Sequence, residues 1–119
     1  MDAGRPLFQQ IAEQIEDSVL DGTLAADAQA PSTNELAAFH RINPATAAKG
    51  INQLVSDGIL YKKRGIGMFV ANDARQRVLD RRRGAFARDF VEPLLAEARR
   101  LGLSAADVRN LIEKGGQGE

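Results

Sequence analysis

The 119-residue chain has no cysteine, no tryptophan and a single histidine, His40. Without cysteine it forms neither a disulfide framework nor a thiolate metal site, a usage typical of a reducing cytosol. His40 has no acidic or histidine neighbour at metal-ligand spacing, so we expect it at the surface or in a turn. Because a second histidine is also absent, nucleophile–base pairs lack their usual residues. The sequence therefore predicts no metal, no cofactor and no catalytic residue.

Long apolar runs are absent as well. No stretch approaches the roughly 18 apolar residues of a membrane-spanning helix, and the first residues lack an apolar signal core. We therefore expect a cytoplasmic protein with no membrane partner. Acidic pairs do occur, as at Glu16 and Asp17, but they are expected on an exposed face without a cleft. On these grounds we predict that the chain is not an enzyme.

The composition that is present fits a small folded protein. Hydrophobic residues make up 44% of the chain, which is enough to build a core and excludes wholesale disorder. The length suits one domain of ordinary size with a small appendage, and it excludes a large multidomain enzyme.

The charges are equal in number but unevenly placed. Lysine and arginine total 16, as do aspartate and glutamate, so the formal net charge is zero. Residues 1–40 carry one basic residue against seven acids, a net of −6, whereas residues 41–83 carry ten basic residues against three acids, a net of +7. Such asymmetry is typical of a protein with a polyanionic partner, although a solvated, charge-rich surface produces the same count. The positions of the basic residues in the fold decide between the two.

Three helices are predicted in the first half of the chain. Residues 6–21 form the first, because Phe8, Ile11, Ile15 and Val19 recur at helical spacing. The second begins at Ser32, where Ser32 and Glu35 have the spacing of a capping box. The third follows the N-cap residue Asn43, with Pro44 at its first position. The apolar contacts of the second helix are expected from Leu36, Ala37 and Phe39.

After the third helix the pattern becomes extended. Residues 59–63 and 68–71 are predicted strands, and residues 64–67 join them as a hairpin. Helix, helix, tight turn, helix and hairpin is the order of a winged helix-turn-helix, so the fold class is mainly α, with a small β component. The predicted domains are a DNA-binding domain at 1–72, a two-helix dimerisation segment at 73–114 and a flexible tail at 115–119. Within the segment, Pro93 is expected to kink the helix or to begin a new one.

The third helix is the predicted recognition helix. In a helix-turn-helix the second helix of the motif enters the major groove with its N-terminal residues facing the base edges. The residues placed there are Asn43, Ala45, Thr46 and Lys49. The Asn43–Pro44 pair is equally an efficient helix start in any fold, so this segment alone does not establish a DNA contact.

The hairpin turn is interpreted as a wing. Its glycines, Gly65 and Gly67, let the backbone approach DNA closely, and Lys63 and Arg64 supply cations beside them. A nucleotide-binding glycine fingerprint does not fit, because Val70 stands where a third glycine belongs. The alternative is an ordinary hairpin whose lysines protect an edge strand. The arginine run that follows the hairpin is also open to two interpretations, contact with phosphate or a solvated or partner-paired helix face.

Taken together, the motifs resemble the GntR family of bacterial transcription regulators over about residues 5–72. The matching segments are Pro6-Leu7-Phe8-Gln9-Gln10-Ile11-Ala12, Gly22-Thr23-Leu24, Pro31-Ser32, Glu35-Leu36-Ala37, Ile42-Asn43-Pro44-Ala45-Thr46, Leu54-Val55-Ser56-Asp57-Gly58-Ile59-Leu60 and Arg64-Gly65-Ile66-Gly67-Met68-Phe69-Val70. The segment at 42–46 and the short C-terminal part resemble the YtrA subfamily, in which a two-helix tail mediates dimerisation.

The resemblance implies DNA contacts at the start of the second helix, the start of the recognition helix and the wing. By position these residues are Ser32, Thr33, Asn34, Asn43, Ala45, Thr46, Lys49, Arg64, Gly65 and Gly67. The family usually has arginine where Asn34 stands, and many members have it where Pro44 stands. Because a bidentate Arg–guanine contact is the commonest specific readout, we expect the chain to depend more on A·T-rich sequence, DNA shape and the wing.

The C-terminal segment carries an apolar stripe that is too long for a free monomer to hide. Burying it across a two-fold axis produces both a homodimer and a pseudo-palindromic operator. The stripe consists of Phe86, Phe90, Val91, Leu94, Leu95, Leu101, Leu111 and Ile112. We therefore predict a homodimeric repressor that binds double-stranded DNA, and the subfamily resemblance suggests a transporter operon as its target.

Two further expectations complete the sequence-based interpretation. A winged-helix protein-interaction module without a DNA role is the competing function. A small-molecule effector, if the protein has one, would occupy a cleft at the subunit or domain interface, because a tail of about 45 residues is small for a closed pocket of typical size.

Overall fold

The structure is a computed structural model that describes residues 4–117. The described residues form six α-helices, one π-helical turn and a two-stranded antiparallel sheet. In chain order these are α1 (Leu7–Leu20), α2 (Thr33–His40), α3 (Pro44–Ser56), β1 (Leu60–Lys63), β2 (Gly67–Val70), α4 (Ala74–Phe86), the π-helical turn (Ala87–Val91), α5 (Glu92–Arg100) and α6 (Ala105–Gln117). The predicted winged-helix order and the mainly α fold class are both confirmed.

The chain divides into two compact units, Met1–Asp80 and Arg81–Glu119. The division falls later than the predicted domain boundary after residue 72. The reason is that Ala74 and Val78 of α4 are almost fully buried in the core of the first unit. The first turns of α4 therefore belong to the winged-helix unit by packing.

The core of the first unit lies between α1, α3 and the hairpin. Three residues of the predicted α1 stripe, Ile11, Ile15 and Val19, are buried in the same core as Ile51 and Leu54 of α3, whereas Phe8 is only partly buried. The two helices approach closely at Gly50, where an added Cβ would lie 2.9 Å from the backbone oxygen of Phe8. Close packing of this kind fixes the orientation of α3, and so sets which of its faces points outward.

The capping box of α2 forms as predicted. The backbone N–H of Ser32 donates to Glu35 Oε1 at 3.0 Å, and the backbone N–H of Glu35 donates to Ser32 Oγ at 3.0 Å. Leu36 and Ala37 are buried. The expectation that Phe39 adds an apolar contact is wrong, because its side chain is 82% exposed. The eight-residue helix α2 buries only a narrow strip, which Phe39 does not share.

The hairpin pairs Leu60 with Val70 and Lys63 with Gly67. The segment before α2 joins it as an extra strand-like edge, which the sequence pattern did not predict. The N–H of Asp27 donates to the Val70 carbonyl at 2.8 Å, and the N–H of Ala30 donates to the Met68 carbonyl at 2.8 Å. Backbone pairing on both sides of β2 holds the wing against the body of the first unit.

The second unit consists of the end of α4, the π-helical turn, α5 and α6. Pro93 occupies the second position of α5, directly after the π-helical turn. A proline has no N–H and crowds the carbonyl four residues earlier, and the wider π turn relieves that crowding. The helical backbone continues through this junction, since Val91 and Glu92 both have right-handed helical φ and ψ. Pro93 therefore lies where π-helical bonding changes to α-helical bonding within one continuous helix.

The last helix begins with its own capping box. The N–H of Ser104 donates to Asp107 Oδ2 at 2.9 Å, and the N–H of Asp107 donates to Ser104 Oγ at 3.1 Å. The helix extends to Gln117, so residues 115–117 are helical where the sequence predicts a flexible tail. The remainder of that tail, residues 118 and 119, lies outside the described residues. Within the described part of the chain, no helix has the length and apolar character needed to cross a membrane.

Candidate nucleic-acid interface

The start of α3 presents the predicted recognition residues on one face. Asn43 caps the helix by accepting a hydrogen bond from the N–H of Ala45 at its Oδ1, over 2.8 Å. This bond leaves the Nδ2 amide of Asn43 as the group that can donate outward. Asn43, Ala45 and Lys49 are exposed and Thr46 is partly buried. The opposite face of α3, which includes Ile51, is buried in the core.

The start of α2 presents a second predicted group. Asn34 is exposed and Thr33 is partly buried. The Ser32 hydroxyl accepts the Glu35 N–H, so this oxygen already serves the cap while its O–H is able to donate. Hydrogen bonds from the Ser32 backbone N–H and then from its hydroxyl lower the pKa of the Glu35 carboxyl from its ordinary value of 4.5. Glu35 therefore stays a carboxylate to a lower pH than an unpaired glutamate would.

Two lysines of the predicted interface lie over aromatic rings. Lys49 Nζ is 4.2 Å from the centroid of the Phe8 ring. In the hairpin, Lys63 Nζ is 4.3 Å from the centroid of the Phe69 ring. An ammonium at this distance is attracted by the negative face of the ring. The aromatic residues thus restrict where the two charges lie, a role that the sequence analysis missed.

The ring under Lys63 is itself held by a neighbour. Tyr61 and Phe69 are cross-strand partners whose rings stack with centroids 6.0 Å apart. The Tyr61 hydroxyl donates to Asp27 Oδ1 at 2.8 Å, and this bond to a carboxylate raises the pKa of Tyr61 above 10.0. The hairpin register, which pairs Tyr61 with Phe69, was the one sequence signal that could have revealed this stack.

The two wing glycines face different surroundings. Gly65 has φ +76° and nothing within 4 Å of the place where a Cβ would lie. Gly67 has φ +146°, and a Cβ there would meet Gln29 Nε2 at 2.6 Å. Gln29 in turn donates to the Ile66 carbonyl at 3.2 Å. Gly65 and the exposed Arg64 thus form the open tip of the wing, whereas glycine at 67 accommodates Gln29.

The arginine run after the hairpin has contacts within the protein. Arg75 Nε donates to the Leu20 carbonyl at 3.5 Å, and Arg77 Nε forms an ion pair with Asp73 Oδ2 at 2.8 Å. Since both groups are exposed, the ion pair contributes little to stability. Arg75 thus connects the start of α4 to the end of α1, whereas Arg77 pairs with a residue four positions earlier. The run as a whole is therefore not a free cationic face.

Two expectations about titratable residues are tested by the structure. Glu16 is only 2% exposed whereas Asp17 is exposed, so the idea of an exposed pair of carboxylates on α1 is wrong. Which face of a helix is buried depends on what packs over it, and the local sequence does not settle that. His40 is the last residue of α2 and is partly buried, and its ring and that of Phe39 are nearly perpendicular, with centroids 4.9 Å apart. No cluster of potential metal ligands occurs among residues 4–117.

The second unit exposes most of its predicted dimerisation stripe. Phe90 is 66% exposed, Leu101 is 64% exposed and Ile112 is 61% exposed. The other exposed members are Phe86, Leu94, Leu95 and Leu111, while Val91 is partly buried. Between α5 and α6 lies an apolar groove of about 340 Å³ that includes several of these side chains. A single copy of the chain leaves this surface in water, which is costly for contiguous apolar groups.

Known proteins resemble the chain in both sequence and structure. The sequence pattern described as "Bacterial regulatory proteins, gntR family" matches residues 7–70. The HTH-type transcriptional repressor YtrA of Bacillus subtilis is 24% identical over 109 residues, covering 92% of this chain and 83% of YtrA. The HTH-type transcriptional repressor NagR of the same organism is 32% identical over 74 residues. That match covers 62% of this chain and 30% of NagR, so the chain spans about a third of NagR.

Solved structures show the same likeness. A GntR family transcriptional regulator from Listeria monocytogenes is 25% identical, with a TM-score of 0.76 over 96% of this chain and 98% of that chain. The DNA-binding domain of AraR, in a crystal structure with an operator, is 36% identical, with a TM-score of 0.54. The AraR match covers 56% of this chain and 81% of the AraR chain. The first likeness thus includes both compact units, and the second involves about half of the chain.

Proposed function

The chain belongs to the GntR family of bacterial regulatory proteins, and on that basis we propose that it is a sequence-specific DNA-binding transcriptional regulator. The family membership confirms the resemblance found in the sequence motifs. The observation that carries the proposal is the outward face at the start of α3, where Asn43 and Lys49 are exposed while Ile51 is buried behind them. A helix start held in this way can enter the major groove with its first residues toward the bases.

The proposed contacts divide into two kinds. Asn43, Ala45 and Thr46 lie at the start of α3, where base edges are read through amide donors and methyl contacts. Lys49 and Arg64 are cations suited to phosphate. The remaining members of the proposed interface are Ser32, Thr33 and Asn34 at α2 and Lys63, Gly65 and Gly67 in the wing. Of these, Gly67 accommodates Gln29 and so serves the wing conformation.

We further propose that the protein acts as a homodimer on a pseudo-palindromic operator. The support is the exposed apolar face of the second unit, with Phe90, Leu101 and Ile112 each more than half exposed. Joining two such faces about a two-fold axis buries them and presents two recognition helices to two half-sites. Repression is the proposed sign of regulation, since YtrA and NagR are both named as repressors. A transporter operon is the proposed target.

The double variant Lys49→Ala, Arg64→Ala tests the DNA-contact assignment. We expect its affinity for a duplex carrying the wild-type binding sequence to fall. The slope of log K against log salt should become shallower by about 0.9 for each phosphate that a side chain no longer neutralises. Fluorescence anisotropy over a salt series measures the affinity and this slope. Lys114→Ala, which removes a cation from α6, is the matched control and should leave both unchanged. If the double variant keeps its assembly state and binds as wild type does, the assignment is wrong.

One observation favours the competing function, a protein-interaction module. Phe39 is 82% exposed and lines a groove of about 440 Å³ together with Ile15, Leu24 and Leu36. Apolar surface of this kind occurs at protein-binding sites. Salt dependence separates the two functions, because DNA binding weakens steeply between about 50 and 200 mM salt. A nearly flat response, or no binding to any duplex, would favour the module.

A further inference from the structure

The turn between α2 and α3 contains a residue with strained backbone, Arg41. Its φ and ψ are 55° and 50°, in the left-handed region. Its N–H donates to the Ala38 carbonyl at 3.4 Å, and the N–H of Ile42 donates to the Ala37 carbonyl at 3.0 Å. These two bonds define a Schellman motif, whose left-handed position is usually glycine because a Cβ is disfavoured there. Arg41 therefore occupies a position where a side chain raises the energy of the fold.

Two other helices of the same chain end in the same motif with glycine. At the end of α3, Gly58 has φ +76°, and its N–H donates to the Val55 carbonyl at 3.0 Å. At the end of α5, Gly102 has φ +73°, and its N–H donates to the Arg99 carbonyl at 3.2 Å. The backbone bonds are therefore made equally well with glycine. The arginine in the turn after α2 is not required to close that helix.

The guanidinium of Arg41 also has no polar partner among the described residues. Asp27 is the other non-glycine residue with positive φ among those described, and its carboxylate accepts the Tyr61 hydroxyl. No described residue forms a hydrogen bond or an ion pair with the Arg41 guanidinium, and the residue is exposed. Strained conformations without a compensating contact in the protein are typical of functional positions.

The location of Arg41 indicates what it binds. It lies two residues before Asn43, the N-cap of α3, and at the start of the stretch 41–83 with its net charge of +7. Ile42 beside it packs against the core, which directs the turn outward at Arg41. The N-terminus of α3 adds the positive end of a helix dipole to the same place. This combination is complementary to a polyanion.

We propose that Arg41 is a DNA-contact residue whose guanidinium binds a backbone phosphate beside the recognition helix. The proposal rests on the DNA-binding function proposed above. A guanidinium can donate two parallel hydrogen bonds to phosphate oxygens, which a lysine cannot do. The cost of the left-handed arginine is then offset only in the complex, so Arg41 destabilises the free protein and strengthens binding.

The variant Arg41→Gly tests both proposed effects of Arg41, lower stability of the free protein and stronger binding to DNA. We expect its melting temperature to rise by a few degrees, because glycine removes the backbone strain. We expect its affinity for a duplex selected by the wild-type protein from a random-sequence library to fall about tenfold. The slope of log K against log salt should become shallower by about 0.9, the value for one phosphate contact. A residue that merely stabilises the turn would show a lower melting temperature instead.

Two companion variants separate charge from backbone. Arg41→Asn tolerates the left-handed conformation without a charge and should lose the same salt slope as Arg41→Gly. Arg41→Lys retains the charge and should retain most of the slope while losing part of the affinity.

Three outcomes would contradict the proposal. The third would also contradict the DNA-binding function on which it rests. If the wild-type protein binds the selected duplex and Arg41→Gly binds it with the same affinity and slope, only the assignment of Arg41 is wrong. If Arg41→Gly melts at a lower temperature, the strain argument is wrong. If the wild-type protein shows no salt-dependent binding to any duplex, the DNA-binding function itself is wrong, and the role of Arg41 in it is excluded as well.

Discussion

At the scale of single residues, the lysines of the proposed interface are positioned before any partner binds. Lys49 lies over Phe8, and Lys63 lies over Phe69, which stacks on Tyr61. A free lysine side chain loses considerable rotamer entropy when it is fixed at a phosphate. Rings that already restrict the ammonium lower that loss. In the proposed interface, the aromatic residues would thus contribute to binding without themselves reaching the DNA.

This positioning role predicts a specific effect of Phe8→Leu. We expect affinity for DNA to fall by about two- to fivefold, since an exposed cation–π contact contributes about 0.5–1 kcal/mol. The salt slope should stay at its wild-type value, because Lys49 still reaches the phosphate. Phe8→Tyr, which keeps the ring, is the control and should bind as wild type does. Anisotropy titrations measure affinity and slope, and a shallower slope in Phe8→Leu would contradict the positioning role.

Several side-chain environments could not be predicted from the sequence, and they share one physical reason. Phe39 was expected to supply an apolar contact of α2 and is exposed, whereas Glu16 was expected at the surface and is buried. Both lie on helices that were predicted correctly. Helical periodicity identifies an apolar stripe, but the residues at its margin are buried or exposed according to which elements pack on them. Arg41 is a further case, because a left-handed arginine has no sequence signature.

At the scale of elements, the order of helices and strands followed from local signals. The capping residues Ser32 and Asn43 and the hairpin turn marked the starts and the change of period correctly. The strand-like pairing of Asp27 and Ala30 with β2 was missed. Its partners lie about forty residues away, and a short polar segment has no periodicity that would reveal them. Capping residues, turns and periodicity thus predict helices and strands well, but they predict the long-range pairing of strands poorly.

The capping box of α2 makes the stability of that helix depend on pH. The Ser32 backbone N–H lowers the pKa of Glu35 below 4.5 in the folded protein. A lowered folded-state pKa means that the carboxylate contributes stability above its unfolded-state pKa and loses it as the pH falls through the folded-state pKa. We therefore expect Glu35→Gln to show a weaker loss of unfolding free energy on acidification below about pH 4.5. Urea denaturation over a pH series measures this.

The serine of the same box provides the control for that experiment. Ser32→Ala removes the hydroxyl and should destabilise the protein by about 1 kcal/mol at neutral pH. In this variant the Glu35 carboxylate still accepts the backbone N–H of residue 32, so part of the dependence of stability on acid pH should persist. If Glu35→Gln and the wild type lose stability in parallel between neutral pH and about pH 3, the charge of Glu35 does not contribute to the cap.

At the scale of the whole molecule, the zero net charge conceals two opposed regions. The stretch 41–83 that includes α3, the proposed recognition helix, and the hairpin has a net charge of +7, whereas residues 1–40 have −6. A neutral total therefore does not argue against a nucleic-acid partner. Acidic residues on the same molecule reduce non-specific attraction to any polyanion, so binding depends more on the fit of the interface.

The exposed face of the second unit predicts how the molecule associates. We expect Phe90→Asp to convert a homodimer to a monomer, because an unpaired charge at a buried interface is strongly unfavourable. The melting temperature of the wild type should rise with protein concentration, and that of the variant should not. Sedimentation equilibrium measures the mass of each.

A second exposed phenylalanine supplies the matched control for the dimer. Phe39 is 82% exposed but lies on α2 of the first unit. Phe39→Asp should leave the dimer intact. If Phe90→Asp sediments as wild type does, or if Phe39→Asp is the variant that dissociates, the dimer surface is not the one proposed.

The π-helical turn at Ala87–Val91 makes this face sensitive to the number of residues in the chain. A π turn contains about one residue more than an α turn, so the helix accommodates one extra residue there. Deleting one residue there would restore ordinary α-helical bonding. Each later side chain of α5 would then rotate by about 100° around the helix axis. Deleting one polar residue from the π turn would therefore redirect Leu94 and Leu95, and with them the choice of partner, without removing any apolar residue from the sequence.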